Sequence, residues 1–565
     1  MRHNSVRTPV ARHSSTAFRP EESELASHPD ATVNHAGGLA FRMPATARLA
    51  TMLFASFGED TFYTRRTKRV SEEGLAAIKA VAAENPRTVL QLAAYARRVA
   101  NMRTQAQLVL AVAADIPACK PFVRQYTPQI VRRADELTES PAAWITLHGP
   151  IGDQGELGGT HAFPNCLKKG LADASHNFGE YAYAKYNAKG RKVTFRDVLR
   201  IVHAKPKDKA EEALFNYLIY GNINEVLLPK IAARAKLLKK ETLDTEAIAL
   251  AAQCQATWEV LSSKFGRSAA TWDATAPYLP FMAGIRNLGN IMEVGADKAL
   301  TRVVGMLRNR ETVLASRQLP FRFYSAHKAV LERSADNDGR RGEVLDALQG
   351  ALDFSVDSFP KLPGRTLVVT DNSASMDATL SKKSIVSRKM VGNLMGAMAH
   401  RLCSHDSIVA VFGETFKVVP ISGRDSVLTN MEKLNGTNVG HSTNAHLALQ
   451  WLRTTKTKVD RIMLFSDMQC YGGSLAEELR RYRAEVNPNA RMISIDLADH
   501  GTMQVPASDP LSLLVAGWSN DALKQITLHE TGGLDPFLEQ VLAWDPFAAS
   551  PKAPVTEEED DDSED

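Results

Sequence analysis

The hydrophobic period of this chain changes once, near residue 362, and that change limits the folds available to it. Before it, apolar residues recur at helical spacing. Leu75, Ile78, Val81 and Ala82 fall on one stripe, and Val89, Leu92, Ala93 and Ala96 on the next. Pro86 stands near the start of the second run, where a missing N–H costs nothing. Helical runs continue at 104–114, 209–220, 225–239, 244–264 and 295–309, with few strand signals between them. Successive helices joined by short breaks predict stacked helix pairs of the HEAT type or an irregular all-α domain. After residue 362, short β-branched runs alternate with helices. Strands are expected at 365–371, 407–412, 416–419, 461–465 and 491–496, and helices at 383–403, 443–454 and 474–485. That alternation predicts an open parallel α/β sheet with helices on both faces.

The resulting division is a polar leader over 1–33, expected to be disordered, a helical domain over 34–360, an α/β domain over 361–548 and an acidic tail over 549–565. The net charge of +4 hides this division. Residues 34–350 carry 44 Lys and Arg against 31 Asp and Glu, whereas 557–565 carry eight acids and no base. A basic region points to an acidic partner, and the tail is expected to compete for the same surface. Five scattered cysteines without a CxxC pair argue for reduced thiols rather than a disulfide framework or a zinc site. No run of about 18 apolar residues is present, and no secretory signal. The basic, serine-containing first 20 residues fit either a transit peptide or a disordered leader. The expected setting is the cytoplasm.

Asp371-Asn372-Ser373-Ala374-Ser375 follows the first predicted strand of the α/β domain. It reads D-x-S-x-S and resembles the metal-ion-dependent adhesion loop of von Willebrand factor A domains. Ligands of open α/β sheets lie at the carboxyl ends of strands. One carboxylate and two hydroxyls there are hard donors suited to Mg²⁺. Thr443, in a loop before a helix, and Asp467, after a later strand, stand where such domains supply their other ligands. The threonine loop departs from the usual Gly-Gly-Thr and reads His441-Ser442-Thr443. With no positioned base or nucleophile nearby, the site reads as ligand capture, not catalysis.

In the helical region, Tyr181, Lys185 and Lys189 are expected on one helix face, with Gly190 as a C-cap. Thr194 and Asp197 resemble a capping box opening the next helix, on which Arg196, Arg200 and His203 recur at i, i+4 and i+7. Cations interleaved with aromatics suit phosphate contact and base stacking. The same stripe also describes a solvated helix face, and Tyr183 and Tyr186 read as core. A second basic cluster lies at Arg65, Arg66, Lys68 and Arg69.

The combination resembles the TROVE-domain ribonucleoproteins, the Ro autoantigen and its bacterial Rsr relatives. The resemblance rests on Asn34-His-Ala-Gly-Gly38, Phe62-Tyr63, Asp197-Val-Leu-Arg-Ile-Val-His203-Ala-Lys-Pro206, Leu279-Pro-Phe-Met-Ala-Gly-Ile-Arg-Asn-Leu-Gly289, Leu319-Pro-Phe321 and Asp371-Asn-Ser-Ala-Ser-Met376. It implies a closed ring of HEAT-like helix pairs whose ends are clasped by a doubly wound A domain. It implies small structured Y RNAs on the outer surface, with contacts falling on Lys185, Lys189 and His203, and single-stranded 3′ ends of misfolded RNA in the hole. It further implies a monomer acting with an exoribonuclease such as polynucleotide phosphorylase in RNA quality control, maturation or decay. DNA and membranes are not expected partners. Two other classes remain open from sequence. One is a Mg²⁺-dependent module capturing an acidic protein. The other is a nuclease, for which no Walker A, G-x-S-x-G or H-E-x-x-H motif is present.

Overall fold

The computed structural model describes residues 19–55, 72–148, 162–187, 190–333, 339–357, 359–379, 385–403, 407–498, 500–516, 526, 530 and 536–548. The Arg65–Arg69 cluster, Phe62, Tyr63, Lys189 and the tail from 549 lie outside them.

Local signals set the helices of the first region. Asn85 caps the Pro86–Arg98 helix by accepting from Arg87 N, with Pro86 in the first turn. Asp208 accepts from Glu211 N, and Gly221 at φ +83° closes Lys209–Tyr220 on the expected residues. The expected helix over 244–264 is two, Thr245–Cys254 and Trp258–Phe265. Gln255 takes a left-handed conformation, φ +48°, and turns the chain between them. The 225–239 run is helical only from Pro229 to Leu237.

The second region is built on a six-stranded sheet. Its strands are β3 (Thr366–Asp371), β4 (Ser407–Phe412), β5 (Phe416–Val418), β6 (Arg461–Ser466), β7 (Arg491–Asp496) and β9 (Ser512–Ala516). The order is β5-β4-β3-β6-β7-β9. All neighbours are parallel except β5, which pairs antiparallel with β4 at the edge. The sheet is thus parallel as expected apart from its edge strand β5, whose three-residue connection to β4 allows a hairpin but no crossover. The first strand is central: the chain runs outward on one side to β4 and β5, then returns to lay β6 on the other.

Leu367 and Val369 face one core with Leu464, Ala448 and Leu449. Val368 faces the other, with Leu394 and Met395. That second core does not stop at residue 360. It continues through Leu348, Leu352, Phe323, Val303 and Trp272, so the last helical repeats and the sheet bury one apolar mass. Each buried side chain of this size contributes about 1.5–3 kcal/mol.

The first and last described segments each cross to the opposite region. Residues 19–33, expected as a disordered leader, carry a short turn at Pro20–Glu22 and strand β1 (Ala31–Val33). β1 pairs with β2 (Leu39–Arg42), and β2 pairs antiparallel with β8 (Thr502–Met503) of the α/β domain. Leu39 and Phe41 enter the sheet's core, burial that polar composition alone did not reveal. In the other direction, the Pro536–Ala543 helix and the residues after it pack on the first helices. Gln91 Nε2 donates to the carbonyls of Val541, at 3.0 Å, and Trp544. The Trp544 ring meets Tyr95 edge-on at 5.5 Å, and Phe547 meets Tyr126 at 5.1 Å. No described helix is long and apolar enough to cross a membrane.

Candidate functional site

The carboxyl ends of β3 and β6 adjoin where the sheet's winding reverses, which is where an open α/β sheet leaves a crevice. Asp371 ends β3, and Asp467 follows β6; both are fully buried. Three loops meet there through hydrogen bonds. Ser466 Oγ donates to Asp371 Oδ2 at 2.7 Å. Ala374 N donates to the His441 carbonyl at 3.1 Å, and Tyr471 N to the Thr443 carbonyl at 3.2 Å. Within the first loop, Ser373 N donates to Asp371 Oδ1 at 2.9 Å, and the Ser373 and Ser375 hydroxyls lie 3.3 Å apart. Ser373 and Thr443 are buried, and Ser375 is exposed.

Two buried carboxylates dominate the electrostatics of the site. Burial, and then the neighbouring Asp467, push the Asp371 carboxyl up to about 7. Among the described residues, the buried Asp467 Oδ2 has no hydrogen-bond partner. A buried oxygen of this kind is costly unless something pairs with it. The donor set of Asp371, Ser373, Ser375, Thr443 and Asp467 therefore fits a hard divalent cation. Among the described residues, no three His, Cys, Asp or Glu side chains gather as metal ligands.

Below this centre, a buried amide chain fixes the first loop. Thr370 Oγ1 donates to Asn393 Oδ1 at 2.5 Å, and Asn393 Nδ2 donates to Asn372 Oδ1 at 2.9 Å. The turn between β1 and β2 braces the Asp467 loop from outside. Asn34 Nδ2 donates to the Cys470 carbonyl at 2.7 Å. Gly38 packs so closely that a Cβ would collide with that carbonyl and lie 2.6 Å from Tyr471 Cα. In the sequence, Asn34 and Gly38 stand out only as family residues. The signal was there in an Asn and a Gly bracketing a tight turn, but their target lies more than 400 residues away.

The candidate face of the helical region is shorter and more irregular than the expected stripe. The helix bearing Lys185 runs from Glu180 to Tyr186, so it does not carry a face on to residue 189, and Gly190 is not its cap. The Thr194–Asp197 capping box is formed on both sides. It opens the Phe195–Val202 helix, which presents Arg196 and Arg200 to solvent. His203 is exposed but not on a helix face: it is the left-handed C-cap, φ +51°. An imidazole tolerates that conformation better than a β-branched residue does. Tyr183 is fully buried, and Tyr186 half-buried beneath the Arg133 guanidinium.

Behind this face lies an ionic cluster that the sequence did not disclose. Asp135, Glu136 and Glu139 are buried. Arg97 Nε lies 2.9 Å from Glu136, Arg133 lies 3.2 Å from Asp135, and Arg103 contacts all three carboxylates. Burial works against the Asp135 charge, and Arg103, Arg133 and Arg191 overcome it, holding the group below the usual carboxylate range. Glu139 is pushed up to about 7 by burial against the pull of Arg103. Arg191 links the cluster to the exposed face, 3.9 Å from Asp135.

The TROVE domain model matches residues 59–247 and 250–344, and the Ro60 vWA domain model matches 365–528. The chain belongs to the TROVE-domain Ro/Rsr family. Among its relatives, telomerase protein component 1 of Rattus norvegicus is 28% identical over 333 residues, covering 50% of this chain and 12% of that protein. RNA-binding protein RO60 of Deinococcus radiodurans is 24% identical over 319 residues, covering 53% of this chain and 59% of that one. Each match thus spans less than two thirds of the relative's length. The crystal structure of the Deinococcus radiodurans RO (RSR) protein superposes with a TM-score of 0.62 at 19% identity, covering 85% of this chain and 98% of that one. The fold is therefore that of Ro/Rsr proteins: a helical TROVE region followed by an A domain with a mixed sheet.

Proposed function

We propose that this Ro/Rsr family member binds RNA without catalysis. Small structured, Y-like RNA is held on the exposed face bearing Lys185, Arg196, Arg200 and His203, with Lys189 following in the chain. Single-stranded 3′ ends of misfolded RNA enter the ring. The supporting observation is that Arg196, Arg200 and His203 are all exposed at one helix and its cap, in a region carrying 44 basic and 31 acidic residues. The proposed setting is cytoplasmic RNA quality control, with a monomer passing RNA to an exoribonuclease of the polynucleotide phosphorylase type. Sequencing RNA crosslinked to the protein in its native cell tests this reading. Enrichment of small structured RNAs, lost in a K185A/K189A/H203A variant, is the expected result; equal recovery from the variant would sink it.

A second reading concerns the A domain and is favoured by the unpartnered Asp467 oxygen. Here Mg²⁺ held by Asp371, Ser373, Ser375, Thr443 and Asp467 supplies an electrophilic centre for a carboxylate of a partner protein. Chelator-sensitive pull-down of protein without RNA distinguishes it from the first.

A further inference from the structure

Around the Glu180–Tyr186 helix, cations and aromatic rings alternate in a row. The Arg133 guanidinium lies 4.7 Å from the Tyr186 ring centre. Lys185 Nζ lies 5.2 Å from that ring and 5.8 Å from Tyr181. Lys230 Nζ lies 4.9 Å from the other neighbour, Tyr181. The row joins three segments far apart in sequence: the loop after the Lys120–Ile130 helix, the Glu180–Tyr186 helix and the first turn of Pro229–Leu237. The last two are also joined independently, because Ile231 N donates to Glu180 Oε1 at 2.7 Å.

The chemistry of these contacts separates Lys230 from its neighbours. An aromatic face attracts a cation through its quadrupole but brings no countercharge. A carboxylate fixes a cation too, but neutralises it. Lys236 pairs with Glu225 at 2.7 Å, and Lys240 with Asp244 at 3.2 Å and with Glu246. Lys207 pairs with Glu211 at 3.7 Å. Lys230 is held instead by the Tyr181 ring and the neutral side-chain carbonyl of Gln255. It is half-buried, as are Lys185 and Tyr181. A lysine held in place while keeping its charge is ready for an anion at little ordering cost.

We infer that Lys230 contacts the phosphodiester backbone of bound RNA, and that Tyr181 is a positioning residue setting Lys185 and Lys230 in one register. This extends the cationic face from the helix bearing Lys185 onto the next helical repeat. It rests on the RNA-binding reading above.

The test uses the full chain and a synthetic RNA hairpin with single-stranded flanks, its binding followed by fluorescence anisotropy from about 50 to 300 mM KCl. K230A is expected to weaken binding roughly three- to tenfold at low salt and to reduce the log–log salt slope by about one. K236A, whose lysine is neutralised by Glu225, serves as the control and keeps the wild-type slope. Y181L should weaken binding about threefold by removing the ring that Lys185 and Lys230 share, and Y181F should restore it, because the ring and not the hydroxyl sets their register. An unchanged slope in K230A, or a Y181F variant no better than Y181L, would overturn the inference. R196A/R200A is run in parallel. If it weakens while K230A does not, only the extension fails; if it too binds as wild type does, the RNA-binding reading of this face fails with it.

Discussion

The two regions assemble their candidate sites in opposite ways. In the A domain, Asp371 and Asp467 come from strands that are neighbours in space but separated by the whole β4–β5 excursion, and both are buried. Their placement follows from strand order and is as rigid as the sheet. In the helical region, Lys185, Arg196, Arg200 and His203 lie within 19 residues of one another, on short helices and one left-handed cap. Their placement is local, and Arg191 ties the segment to the buried ionic cluster, 3.9 Å from Asp135. A buried site thus needs the right topology, while an exposed face needs a firm foundation.

That contrast can be broken at its foundation first. Arg103→Met leaves three buried carboxylates without their shared cation and should destabilise the protein by about 3–5 kcal/mol, read by urea unfolding. The loss carries a pH signature. Glu139, held at about 7, binds its proton in the folded state well above the usual carboxyl value. Such a group costs stability as pH rises from that usual value through 7, and the variant should steepen this dependence. A flat profile between pH 5 and 7 would show that the cluster is not a foundation.

The A-domain site is sharpened by metal. Saturating Mg²⁺, at about 100 times its Kd, should stabilise the wild type by roughly 2.7 kcal/mol in calorimetry. Asp467→Asn should remove that increment and leave the apo protein as stable or more so, because one of two facing buried charges is gone. An equal Mg²⁺ increment in the variant would place the ion elsewhere.

A smaller effect is expected at the exposed face. R196A/R200A should leave the melting temperature unchanged within error while lowering the salt slope of RNA binding by about two. A large loss of stability would mean that these arginines are structural. Smallest of all, removal of residues 557–565 should tighten RNA binding at low salt and do nothing at high salt. No change at either salt would dismiss competition by the tail.

How legible all this was in the sequence depended on distance along the chain. The Lys209–Tyr220 helix, with its Asp208 and Gly221 caps, and strands β3, β4, β6 and β7 were legible because local pattern and local chemistry agree there. The D-x-S-x-S loop and its partners at 443 and 467 could be read because strand ends are where such folds place ligands. The ionic cluster was not readable: Arg97, Arg103 and Arg133 look like surface charge until tertiary contacts bury their acids. His203 was assigned to a helix face because periodicity has no symbol for a left-handed residue. The pairing of β2 with β8 was out of reach, since no local rule joins residues 41 and 503.

This crossing between the regions also bears on how the protein can be made. Asn34 and Cys470, which hydrogen-bond, are separated by 436 residues. At roughly 5–20 residues per second, a ribosome needs about 20–90 s to supply the second after the first. Through that interval β1 and β2 exist without β8, and Leu39 and Phe41 have no core to enter. The β1–β2 hairpin, made before the A domain, is therefore among the last of these elements to find its place. Until β8 is made, the Leu39 and Phe41 side chains stay exposed to water or to whatever apolar surface they meet.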